Sequence, residues 1–130
     1  MFGKKHFFAA VFIALCVFCV GSVSHAASNG KRIHVRGHLI DNACWNEADH
    51  KDDPKFLHEH TKNCLQMPDC IKSGYSVVTA QGQVYKMDAA SNASTTAWIE
   101  ATKHEDNWLV DVKGHLRDGK LNVQKIQLAK

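Results

Sequence analysis

The chain has little surplus of charge of either sign: 16 Lys/Arg stand against 13 Asp/Glu, a net of +3. That removes the electrostatic case for a nucleic-acid or anionic-lipid partner, because binding to a phosphate backbone relies on many uncompensated basic contacts. There is no Gly-rich phosphate loop, and no nucleophile–base–orienter set stands out. Nothing therefore indicates a reaction class, and an enzyme is not expected. Only two tyrosines, Tyr75 and Tyr85, fall where an aromatic binding face would form, and without a basic stripe they read as packing residues.

Cysteine is also scarce. Of five, Cys16 and Cys19 lie in the N-terminal apolar run, which leaves Cys44, Cys64 and Cys70. These three form no Cys-x-x-Cys and no Cys-x-x-Cys-His, so covalent haem attachment is excluded and the usual dithiol motif is missing.

The N-terminal run itself reads as a secretory signal. Lys4 and Lys5 form a positive region, Phe7 to Val20 is unbroken and apolar, and Ser24-His25-Ala26 supplies small residues for cleavage after Ala26. The run is short for a membrane span, which takes about 20 residues. Leu15 before Cys16 and Phe18 before Cys19 are too large for a lipoprotein signal. Residues 1–26 are thus expected to be removed, and residues 27–130 to form one periplasmic or secreted domain, with no membrane contact after cleavage. Fourteen basic and 13 acidic residues then remain. Export into an oxidising compartment with an odd number of cysteines leaves at least one thiol free, metal-bound or paired with another molecule.

Within the domain, Ile33, Val35 and Leu39 alternate with polar residues as in a strand, interrupted at Gly37. The segment 35–41 is echoed at 112–118, with Gly114 in the place of Gly37. Two glycines at equivalent points suggest two bends in one curled sheet. Tyr75–Thr79 and Gln83–Met87 form a hairpin around Gly82. Residues 89–103 read as a helix capped by Asp88 or Ser91, with Ala90, Ala93, Ala97, Trp98 and Ala101 on its packed face. Trp108–Leu116 and Leu121–Leu128 are strands joined at Asp118-Gly119, and the alternation slips near Gln124-Lys125, as at a bulge. Five strands with a helix between the third and fourth is the element order of an OB-fold, so a mainly β, OB-like five-stranded barrel is expected. An open α+β sheet of the same elements is the alternative.

Residues 42–73, between strands one and two, are too long for a structureless connection. Asp53-Pro54 resembles a helix start, and a helix from Pro54 to about Asn63 would set His60 and Cys64 one turn apart. Met67-Pro68 would end it, with Cys70 in the turn beyond. Cys44, His60, Cys64 and Cys70 would make a tetrahedral zinc set. Met67 in place of a thiolate would favour cuprous copper. The competing expectation is a disulfide within the cysteine trio, typically worth about 2–4 kcal/mol in a small domain. The two are compatible. His50 and His58 read as surface histidines. His34 and His38 share a strand face but lie about 13 Å apart at the usual strand rise. His38 and His115 match in the echo and would approach only if their strands pair in that register.

The pattern Val35-x-Gly37-x-Leu39-Ile40-Asp41-x-x-Cys44, followed by His60-Thr61-x-x-Cys64-x-x-Met67-Pro68-x-Cys70-x-x-Ser73-Gly74-Tyr75, resembles a group of small exported bacterial proteins of unknown function. The similarity continues through Val110-x-Val112-x-Gly114-x-Leu116 and Leu121-x-Val123-x-x-Ile126. It implies an exported OB-like domain with a cysteine-bearing insert and implies no activity. The expectation is therefore a binding protein for copper or zinc through Cys44, His60, Cys64, Met67 and Cys70. Its rivals are a disulfide-stapled module for a small molecule, glycan or protein, and a thiol-redox protein.

Overall fold

A computed structural model describes residues 30–47, 53 and 55–130. The secretory-signal expectation for residues 1–26 lies outside them, as do His50 and Pro54. Five antiparallel strands form one sheet in the order β3-β2-β1-β4-β5. They are β1 (Lys31–Asp41), β2 (Tyr75–Val78), β3 (Val84–Lys86), β4 (Leu109–Arg117) and β5 (Lys120–Leu128). Among the described residues, the connection from β1 to β2 carries four short helices: α1 (Asn42–Asn46), α2 (Phe56–Glu59), α3 (Lys62–Leu65) and α4 (Pro68–Ser73). A longer helix, α5 (Ala89–Ala101), joins β3 to β4. The mainly β class, the five strands, the partly helical insert and the position of the long helix all agree with the sequence. The strands form an open array, with one isolated parallel bridge, Met87 to Leu121, between the end of β3 and the start of β5. No helix among the described residues is long and apolar enough to cross a membrane.

The internal echo has a simple meaning in the register. Val35 faces Val112 across the β1–β4 pair, and each glycine follows its valine by two residues. A methyl group on Gly37 would run into the Val78 carbonyl of β2, and one on Gly114 into the Asn122 carbonyl of β5. At both points the outer strand closes over the inner one, which only glycine allows. The bulge falls where the alternation slips: Lys113 pairs with Lys125 but Gly114 with Val123, leaving Gln124 as the extra residue. Asp118 and Gly119 both have positive φ, as a two-residue type I′ hairpin requires.

Val35, Leu39, Tyr75, Val77, Trp108, Val110, Val112 and Leu121 form the core, joined by Leu65 from the insert and Ile99 from α5. Tyr75 is fully buried and donates its hydroxyl to the Leu65 carbonyl at 2.8 Å, a packing role, as expected for it.

The packed face of α5 differs from the expected one. Ala90, Ala93, Ala97 and Ala101 are exposed, while Ser91, Thr95 and Ile99 are buried and Trp98 lies edge-on against Trp108. Polar ties decide the rotation. Asp88 caps the helix by accepting from Ser91 N–H, accepts from Asn122 Nδ2 at 2.8 Å, and donates its own N–H to the Leu121 carbonyl. Ser91 Oγ accepts the Val123 N–H at 2.8 Å. These bonds fix α5 to β5, and hydroxyls facing the sheet outweigh alanines that bury little area.

A candidate metal centre at the end of the first strand

Alternation in β1 stops at its C-terminal end, where Leu39, Ile40 and Asp41 are all fully buried. Leu39 belongs to the core cluster, and α1, α2 and α4 of the insert pack against the strand. Asp41 then caps α1, its Oδ1 accepting the Cys44 N–H at 2.9 Å. Asn42 and Ser73 bind α1 to α4: Asn42 Nδ2 donates to the Ser73 carbonyl, and Ser73 Oγ accepts the Ala43 N–H. These bonds bring Cys44 on α1 up to Cys70 on α4. Asp41, Cys44 and Cys70 each offer a ligand atom, and the three atoms lie within 4.8 Å of one another. The three cysteines among the described residues, Cys44, Cys64 and Cys70, are free thiols, with Cys44 and Cys70 as the near pair.

His60 reaches the cluster by a different route from the expected one. There is no continuous helix from 54 to 63. Helix α2 ends at Glu59, and His60 is extended (φ −69°, ψ 120°). Thr61 then caps α3, its Oγ1 accepting the Cys64 N–H. A threonine cap competes with helical continuation, and the break lets the His60 ring turn inward. There Nε2 sits 2.8 Å from Asp41 Oδ2, with both side chains almost fully buried. His60 and Cys64 are thus not a helical pair. Cys64 lies on α3, with the Thr61 hydroxyl donating to its sulfur at 3.3 Å. Met67 and Pro68 begin a helix rather than end one, so Cys70 is helical and not in a turn. Met67 itself is 48% exposed.

The electrostatics follow from this packing. Burial alone would raise the Asp41 carboxyl, but hydrogen bonds from His60, the Cys44 N–H and the Cys70 thiol outweigh it and hold the group down at about 2. Burial pushes the Cys44 thiol up to about 12, and the Asp41 charge adds to the rise. Cys70 is pushed up to about 11 by burial, by its bond to Asp41 and by the same charge, while its bond with Cys44 works the other way. Both thiols are therefore protonated at neutral pH, beside a carboxylate that is ionised.

Asp41 is the member of the cluster that sequence reasoning missed. Its signal was present in the Asp41-x-x-Cys44 spacing, which is that of a capping side chain and the N–H it accepts. Two further histidines lie apart from the cysteine cluster. His115 pairs with Arg32 and not with His38. His34 lies 3.6 Å from Asp111 on the open part of the sheet. A groove of about 530 Å³ between β1 and the β2–β3 hairpin is lined by Arg36, His38, Gln81 and Tyr85, among others. No protein-family model, no curated protein and no solved structure matches the chain.

Proposed function

We propose that the protein is a small exported, non-enzymatic binding protein whose ligand is a metal ion held at Cys44, Cys70 and Asp41. The observation that carries this is the convergence of two sulfurs and a carboxylate oxygen within 4.8 Å. Two thiolates and a carboxylate form a borderline donor set, which favours zinc over cuprous copper. A copper set would draw on Met67, whose exposure argues against it. Cys64 lies outside this group of three. His60 serves as the group that fixes Asp41, in the manner of a hydrogen bond that orients a metal-binding side chain. Protonated thiols are poor nucleophiles, which counts against thiol-redox chemistry. The strand order and the β3–β5 bridge support an OB-like closure of the sheet.

Metal analysis of untagged protein prepared under reducing conditions tests the assignment, with zinc and cuprous titrations alongside. One equivalent of zinc in the wild type, lost in Cys44→Ser and Cys70→Ser, is expected. Equal retention by both variants would remove the site. The proximity of Cys44 and Cys70 favours a second reading, a stapling disulfide between them. Intact mass after alkylation, with and without reductant, separates the two.

A further inference from the structure

Three histidines from separate parts of the chain meet at one asparagine. His38 Nε2 and His58 Nδ1 each lie 3.1 Å from Asn107 Oδ1. Their rings stand 4.5 Å apart at an interplanar angle of 69°. His104 Nε2 approaches the Asn107 backbone carbonyl at 3.3 Å, and that ring is set edge-on to the buried Trp108. The backbone fixes Asn107 in place. Its φ is +47°, a region asparagine tolerates better than most residues, and its N–H donates to the His58 carbonyl at 3.0 Å. The two imidazole nitrogens and the amide oxygen come from β1, α2 and the turn before β4.

We propose that His38 Nε2, His58 Nδ1 and Asn107 Oδ1 form a second metal site, for a divalent ion of the cupric type. Two donors at about 2.0–2.1 Å from an ion and at right angles to each other are about 3 Å apart, which is the nitrogen–oxygen separation on both sides of Asn107. Imidazole with a neutral oxygen suits copper(II) or nickel(II), and copper(II) binds more tightly of the two. Burial lowers the His38 pKa, with the nearby His58 adding to the effect against the Asn107 bond. His58 is exposed, so solvent can reach the ion and fill its remaining positions. The donor set shares no residue with the cysteine cluster, so each site stands or falls separately.

The test is a cupric titration of the full untagged chain with every cysteine replaced by serine, which prevents reduction of the ion by thiols. Electron paramagnetic resonance is expected to show one bound ion with splitting from two imidazole nitrogens. His38→Gln and His58→Gln should each weaken binding about tenfold or more, and Asn107→Asp should tighten it by a similar factor. Should the serine variant misfold, nickel(II) broadening of the His38 and His58 ring protons in reduced wild type gives the same readout. Cupric affinity unchanged in both histidine variants would overturn the proposal. So would a hydrogen-bonded clasp that takes up no ion at all.

Discussion

Asp41 has both oxygens committed, Oδ1 to the Cys44 N–H and Oδ2 to His60. Its carboxyl titrates near 2 in the fold against an ordinary value of 3.8. A depressed carboxylate contributes stability that is complete above the unfolded value and disappears as pH falls through the folded one. Metal-free protein should therefore lose roughly 2 kcal/mol between about pH 4 and pH 2 from this group. Urea unfolding across that window measures it, and Asp41→Asn should flatten the limb. His60→Ala removes one hydrogen bond from a buried carboxylate and should destabilise by about 1.5–3 kcal/mol. The thiols set a second dependence. Groups raised to about 12 and 11 hold their protons at neutral pH, so a bound ion must displace two of them. Apparent zinc affinity should then tighten by about two orders of magnitude per pH unit near neutrality. Calorimetry in buffers of different ionisation heat counts the protons released.

At the scale of the element, the two glycine-bearing strands β1 and β4 and helix α5 make separable predictions. Gly37→Ala and Gly114→Ala each drive a methyl into a neighbouring backbone carbonyl and should cost about 1–3 kcal/mol. Ser91→Ala strips the buried Val123 N–H of its acceptor and should cost about 1–3 kcal/mol. Ala97→Lys on the exposed side should change stability by less than about 0.5 kcal/mol. Thermal melts of the four variants suffice, and the reverse ranking of the two α5 changes would restore the alanine face. The strands, hairpins and bulge were legible because alternation and turn residues are local signals. The face of α5 was not, because Ser91 and Asp88 are placed by partners on β5, more than 30 residues away in the chain. The insert was half legible. Its cysteines and His60 pointed to a cluster, but the break after Glu59 depends on a threonine cap and a buried His60–Asp41 hydrogen bond that periodicity does not register. Asn107 gathers its histidines through the tertiary fold, which no local pattern registers.

For the molecule as a whole, the metal reading couples ligand to stability. An ion that binds only the folded chain adds about 2.7 kcal/mol when present at 100 times its dissociation constant. A chelator should lower the melting temperature of the wild type and leave Cys44→Ser/Cys70→Ser unmoved; differential scanning calorimetry with and without EDTA checks this.

The register that pairs Asp41 with Tyr75 also bears on how the chain acquires its fold. Cys44 and Cys70 are held together by the pairing of β1 with β2 and by the bonds between α1 and α4, so a chain without those contacts offers Cys44, Cys64 and Cys70 no preferred partner. Refolding under oxidant should trap mispaired species involving Cys64, whereas refolding under reductant should converge on one product. Timing of oxidation relative to strand pairing, more than the strength of any bond in the finished structure, would then decide how much native protein is recovered.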